Sequence, residues 1–521
     1  MSKRIKVLLV AAMVGLAMLF AAACGGGGDV GDTPDGAEDG DGSPQYGGTL
    51  NVALSSDAPR LDPGLSSSVY DRYVFQSIFD KLADIDENGE VVPVLAKNWD
   101  VSDDGLTYTF HLQEGVKFHD GTDFNAEAVK FNFDRNTDPA SPRRGELAAV
   151  KEVTVVDEYT VEVVLSEPFA PFLSILTDRA GMMVSPTAVE ELGEDFANSP
   201  VGTGPFKFES LMKGNNITLV KNEDYWQDGL PYLDSIVFKI ITDTNVTATN
   251  LKSGQVDISD WRFPTKEIAN FENDDNFVIV NEASQNYNGF YLNISKPPFD
   301  NKHARQALDV LMDREALVDL VKDGAATVAH SYFSPGCFAH GDSDIPPEPS
   351  VEKAKEILAE GGLEDGFTFT YKTAATPEQQ QIAEMLQSMF KEAGITMNIE
   401  QIEFGTLLDQ TIKGEFEAAA LGWSGRPDPD QNIFDDVFTD GSMNYSRFSH
   451  PEIDELVTAA RKELDQDKRK ALYDDAMEIL VDELPYIFTY HENNVICHSK
   501  NVHGFTYISD GLIRTAEIWK D

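Results

Sequence analysis

The residues with the most chemical potential lie near the end of the chain. His491, Cys497, His498 and His503 bring together imidazoles and a thiol, the donors that zinc or nickel takes. Their spacing fits no usual zinc pattern, and alternate positions along a strand would point some of them apart, so no metal site and no cofactor are expected. Asp428 and Asp430 flank Pro429, and carboxylates so close could share acid–base work. In an Asp-Pro-Asp turn they more often cap backbone N–H groups. With 89 acidic residues in the chain, pairing alone discriminates nothing. A Gly-x-Ser-x-Gly elbow, a phosphate-binding loop and a His-Glu-x-x-His helix are all missing from the sequence, so a binding role is expected over an enzymatic one. A secreted hydrolase is the alternative that lacks its motif. Cys337 and Cys497 could close one disulfide in an oxidising compartment or stay free, and neither sits in a nucleophile context.

The elements that must position such groups read as mixed α/β. Leu50, Val52 and Leu54 alternate as a strand, as do Tyr108, Phe110 and Leu112, and Val161, Val163 and Leu165. Thr376-Pro377-Glu378 opens a helix whose Ile382, Met385, Leu386, Met389, Phe390 and Ala393 recur at helical spacing before Gly394. Ile395, Met397 and Ile399 then mark a strand. This helix-to-strand step belongs to an open α/β sheet, where ligands gather at strand ends. Further helices are expected over Ala304 to Val321 and over Pro451 to Val481, the latter broken near Asp465–Asp467. The acidic, proline-rich stretch Gly341 to Pro349 reads as a surface loop.

Lys3, Arg4 and Lys6 precede an apolar run from Val7 to Ala23, shorter than the ~20 residues of a spanning helix. That is the pattern of an export signal. Cys24, directly after Ala21-Ala22-Ala23, resembles the lipobox cysteine of bacterial lipoproteins, which is acylated. An uncleaved anchor helix is the alternative. Either way the body is expected outside the cytoplasm, facing the periplasm or cell exterior, with the lipid as its only membrane contact. Gly25 to Gly48 is rich in glycine and acid, without a basic residue, and is expected to be a disordered tether. The remainder exceeds what one core usually serves, so two or more lobes follow. The formal charge of −48, from 89 acidic against 41 basic residues, argues against nucleic acid and anionic membrane as partners. It is equally a solubility or high-salt adaptation.

Several segments in order resemble the family 5 extracytoplasmic solute-binding proteins of ATP-driven importers, the dipeptide, oligopeptide and nickel group. They are Gly47-Gly48-Thr49-Leu50 with Leu61-Asp62-Pro63, the stretch Leu82 to Asn98 with Trp99 to Phe110, and Gly115 to Gly121 with the helix Ala126 to Arg135. Pro200-Val201-Gly202-Thr203-Gly204-Pro205-Phe206, Asn222 to Trp226, Leu292-Asn293, Phe299, Arg305 to Leu308 and Gly422-Trp423 with Asp428-Pro429-Asp430 complete the set. The two glycine- and tryptophan-bearing turns, Trp99 to Phe110 and Pro200 to Pro205, also read as plain scaffold.

The resemblance implies a periplasmic-binding-protein-like, class II α/β fold: two lobes joined by a hinge crossed twice, near Ala283–Tyr291 and Tyr490–Val495. The expected limits are 1–23 for the signal, 24–48 for the tether, 49–285 plus 494–521 for lobe one and 290–490 for lobe two. Lobe one would hold an extra subdomain spanning roughly 65–200. The implied partners are a peptide or small-molecule ligand and an ABC permease, with the protein a monomer.

Ligand-facing positions in the family fall on Ser67, Ser68, Val69, Trp261, Arg262, Trp423, Ser424 and Arg426. Peptide-binding relatives place an acidic residue soon after the Gly-Trp pair, to hold an amine. Arg426 reverses that charge, and its planar fork of donors suits carboxylate or phosphate. A peptide-like or organic-anion solute is therefore expected, with a plain dipeptide or a metallophore as alternatives. Structural readings compete: Arg426 could pair with Asp428 or Asp430, and Trp261 and Trp423 could be core residues.

Overall fold

The structure, a computed structural model, describes residues 43–521 except Ser67 and Ala140. The signal segment, Cys24 and most of the tether lie outside the described residues, as does Ser67. Among the described residues no helix is long and apolar enough to cross a membrane.

A twelve-stranded sheet runs through the body, and its central member is the long strand Tyr486–Ser499. This strand is buried along nearly its whole length, as a strand covered on both faces must be. Its first half pairs antiparallel with Asn288–Leu292 and Ala326–Val328, ending at Ala326 opposite Glu492. From Asn493 onward it pairs instead with Phe277–Ala283, and His498 lies opposite Ile258. One chain crossing between the lobes is thus a continuous strand that changes partners between Glu492 and Asn493. The other is the short polar segment 284–287 between strands Phe277–Ala283 and Asn288–Leu292.

On one side of this junction Thr49–Leu54 lies parallel to Ser235–Ile240, which continues antiparallel into Asn216–Lys221 and Phe206–Met212. Leu50, Val52 and Leu54 bury with Tyr73, Phe75 and Ile236 to form the first lobe's core, and Leu512, Ile513 and Ile518 from the chain end return to it. On the other side Thr368–Ala374 runs parallel to Thr396–Ile402. The connecting helix Pro377–Lys391 is capped by Thr376, whose hydroxyl accepts from the Gln379 N–H at 3.2 Å. It packs Ile382, Leu386 and Phe390 on Phe369 and Met397 in the second lobe's core.

The expected single helix from Ala304 to Val321 is two helices, Lys302–Leu311 and Arg314–Lys322. Asp313 interrupts it: its carboxylate accepts from the Ala316 N–H at 2.9 Å and caps the second helix. The long C-terminal helix divides into Pro451–Lys462 and Gln466–Glu483, with Asp465 capping the latter.

A four-stranded antiparallel sheet has a separate core. In Thr107–Leu112 and Thr160–Leu165 alternate residues are buried, with Phe110 opposite Val161 and Tyr108 opposite Val163. Phe133 of helix Ala126–Thr137 closes the same core. Buried Asp80 anchors two of the resemblance motifs. It accepts from Thr203 Oγ1 at 3.1 Å, Tyr225 Oη at 3.1 Å and Trp226 Nε1 at 2.9 Å. A Cβ on Gly202 would stand 2.2 Å from the Ile78 carbonyl oxygen, which explains the glycine. Both motifs are scaffold.

Candidate ligand-binding cleft

A cleft of about 350 Å³ opens where the two crossings meet the lobes. The first lobe contributes Val69, Arg72 and Trp261, and the second contributes the loop from Gly422 to Pro427. The crossings add an amide-rich floor of Gln285, Asn286, Asn288 and Asn494.

The loop is held by local geometry. Tyr287 and Trp423 exchange backbone hydrogen bonds in both directions, at 2.9 and 3.2 Å. Gly425 has φ +75°, and a Cβ there would stand 2.3 Å from the Gln285 backbone, so only glycine lets the loop lie on the crossing. Asn432, in the first turn of helix Asp430–Val437, accepts from Trp423 Nε1 at 3.0 Å and from the Arg426 N–H at 2.7 Å. Its own amide donates to the Arg426 carbonyl at 2.8 Å.

Arg426 lies over the Trp423 ring at 4.8 Å and donates to the Gly425 carbonyl at 2.6 Å and Ser424 Oγ at 3.2 Å. It has no ion-pair partner among the described residues. The alternative pairing with Asp428 or Asp430 is not formed, because Arg469 holds Asp428 and Arg461 holds Asp430. Burial, and then the positive charge of Arg72, pull the Arg426 guanidinium below its ordinary value. The other charged groups lining the cleft have ion-pair partners: Arg72 through its Nε with Asp178 at 3.0 Å, Glu492 with Lys322 at 2.8 Å, and Asp510 with Arg514 at 2.9 Å.

Val69, Trp261, Trp423, Ser424 and Arg426 come together at the cleft. Trp261 both packs on the first lobe's core and lines the cleft, and its buried Nε1 has no hydrogen-bond partner. Ser68 caps helix Val69–Ile78, its hydroxyl accepting from the Tyr70 N–H at 3.2 Å, and does not line the cleft. Arg262 is exposed, 5.4 Å over the Trp261 ring, and reaches only Tyr70 Oη at 3.5 Å. Arg72, Asn432 and the amide floor were not singled out from the sequence. Their one signal is the polar run Ser284-Gln285-Asn286 between two strands at the first crossing.

Cys337 and Cys497 are both free thiols, so the disulfide entertained between them is not formed. Cys337 packs in a core of the second lobe and Cys497 in one of the first, beside Val256 and Phe263. The histidines disperse as well. His491 Nδ1 meets the Asn286 carbonyl at 2.6 Å, while His503 stacks on Trp519 and meets Asp521 at 3.0 Å. Burial pushes His491 down to about 4, which keeps it neutral.

Residues 90–445 match the family model described as bacterial extracellular solute-binding proteins, family 5 middle. The glutathione-binding protein GsiB of Salmonella typhi is 33% identical over 473 residues, covering 88% of this chain and 92% of that protein. HbpA2 from Haemophilus parasuis superposes with a TM-score of 0.84 at 28% identity, covering 91% of this chain and all of the other. The periplasmic binding protein DppA from Helicobacter pylori, in complex with the peptide STSA, gives 0.74 at 29% identity over 91% of this chain and 98% of its own. The two-lobed α/β architecture of these proteins is the one described above. With a family match over most of its length and relatives at this identity, the chain belongs to the family 5 bacterial extracellular solute-binding proteins.

Proposed function

We propose that this protein is the lipid-anchored receptor of an ATP-driven importer, which captures a peptide-like, carboxylate-bearing solute between its lobes and presents it to the permease. The observation that carries this reading is Arg426: a guanidinium on the cleft wall with only a hydroxyl and a neutral carbonyl as acceptors. A ligand carboxylate supplies the missing anion, as a bidentate pair of the kind arginine favours. The orphaned Trp261 Nε1 offers a second donor from the opposite lobe, and the amide floor suits peptide groups. Acidic lining groups already bound to Lys322 and Arg514 are poorly placed to hold a free amine. GsiB, named for glutathione, supports a small peptide with carboxylate termini as the cargo.

Contacts from both lobes to one ligand favour the closed arrangement, and that arrangement is what the permease would read. Cys24 acylation would keep the receptor at the membrane on its polar tether. The metal-chelate alternative finds little at the cleft, since His491 is turned to the Asn286 carbonyl. Calorimetric titration with glutathione tests the reading. Saturable binding by the wild-type protein, lost by at least about ten-fold in Arg426→Ala with an unchanged melting temperature, is expected. Equal affinity in the variant removes Arg426 from the site.

A further inference from the structure

The first-lobe wall of the cleft offers arginine nitrogens that no acceptor among the described residues holds. Arg72 lines the cleft one turn into helix Val69–Ile78, and its Nε donates to Asp178 at 3.0 Å. Its two terminal nitrogens have no acceptor among the described residues. Behind it, Arg143 and Arg179 both donate to the Ser66 carbonyl, at 3.1 and 3.2 Å, and each is more than nine-tenths buried with an Nε that has no partner. Arg143 is paired with Glu146 at 2.6 Å. Asp71 is occupied by the Ser66 hydroxyl at 2.6 Å and the Arg60 N–H at 3.1 Å. Arg179 has no ion pair among the described residues, and neither has Arg426 across the cleft.

Arg72 of the first lobe and Arg426 of the second, each with terminal guanidinium nitrogens that no carboxylate among the described residues holds, therefore border one cavity. Burial pulls Arg179 down to about 10, with Asp178 and Glu146 opposing the fall and Arg72 and Arg143 adding to it. The N-terminal end of helix Val69–Ile78 adds partial positive charge on the same side.

We propose that the cleft takes a ligand with two anionic groups: one on Arg426 of the second lobe, and a second on the terminal nitrogens of Arg72 in the first. Arg179 acts as a positioning residue, supplying through space the charge that Asp178 takes from Arg72. This rests on the peptide-like reading above and adds the number and placement of the ligand's charges. A ligand that bridges with two anionic groups also explains how binding draws the lobes together, since each lobe alone satisfies one of them.

The test uses the full chain and three probes: glutathione, its glycine-carboxylate amide and its γ-glutamyl α-carboxylate amide. On the wild type, glutathione is expected to bind at least about ten-fold tighter than either amide. Arg72→Gln and Arg179→Met should weaken glutathione and one amide about equally and leave the other amide unchanged, and Arg426→Gln should show the opposite selection. Glu146→Gln, which does not depend on Arg179 variants folding, should tighten glutathione more than it tightens the amide that has lost its first-lobe group. Equal affinity for all three probes, or an Arg179→Met loss common to all three, overturns the two-anion seat and leaves the peptide-like reading standing. Failure of every probe to bind the wild type overturns that reading, and the two-anion seat with it.

Discussion

Asn432 and Arg426 hold each other by two hydrogen bonds, the Arg426 N–H donating to Oδ1 at 2.7 Å and Nδ2 donating back to the Arg426 carbonyl at 2.8 Å. The same Oδ1 takes the Trp423 indole N–H. One buried amide thus fixes both the aromatic wall and the cation of the second lobe. The first turn of helix Asp430–Val437 becomes the loop's mount.

Replacing Asn432 with alanine removes three hydrogen bonds at once and leaves partly buried backbone groups unpaired. A loss of about 1–3 kcal/mol in a urea denaturation is expected, the usual cost of such groups. Ligand affinity should fall as well, because Arg426 is no longer held in place. Asn432→Asp keeps both acceptor contacts and loses only the donation to the carbonyl, so its effect should be the smaller of the two. Equal effects would show that the Oδ1 contacts do not position the loop.

Trp261→Phe separates stability from binding. The indole N–H is buried without an acceptor, and such a donor costs roughly 1–3 kcal/mol when left unmade. A phenyl ring removes that cost and keeps much of the packing on the first lobe's core. The unliganded variant should be no less stable than the wild type in thermal melts, while its affinity for glutathione falls several-fold. A variant that loses stability and keeps its affinity would make Trp261 a core residue only.

Asp80 should behave in the opposite way. It lies away from the cleft and collects the Thr203, Tyr225 and Trp226 donors. Asp80→Ala strands all three, and a loss of about 3 kcal/mol or more is expected from their combined cost. The fraction that stays folded should bind ligand with wild-type affinity. A selective loss of affinity would link this network to the cleft.

These contrasts show what the sequence could reveal. Alternating Tyr108, Phe110 and Leu112 announce their strand because one face is buried and the period is two. The Ala304 to Val321 stretch misleads, because its apolar spacing continues through Asp313 while the carboxylate turns back to cap the backbone. Trp423 and Arg426 could be placed by their order after Gly422. Arg72 could not, since its role depends on Asp178, more than a hundred residues away along the chain. Asn432 reads as any polar helix residue, because the loop it holds folds onto it only in three dimensions. Distance in sequence, more than residue type, hid the rest of the cleft.

The second lobe also contains a titratable group that should shape its pH dependence. Asp436 is buried and accepts from Tyr287 Oη and Tyr291 Oη, and burial pushes its carboxyl up to about 7. The unfolded chain would release that proton near 3.8. Between those values the unfolded state holds fewer protons than the folded one, so stability must fall as pH rises. The contribution is complete below about pH 4 and lost through pH 7, by a few kcal/mol in total. Asp436→Asn cannot titrate and should flatten this part of the profile. Denaturation of both proteins at pH 4, 5.5 and 7 gives the difference directly, with the other carboxylates common to each. The asparagine variant should gain relative to the wild type as pH rises, and parallel profiles would place the Asp436 titration near that of an ordinary carboxylate. Tyr287 also pairs its backbone with Trp423, so the same series measured with glutathione should show whether ionising Asp436 loosens the ligand wall.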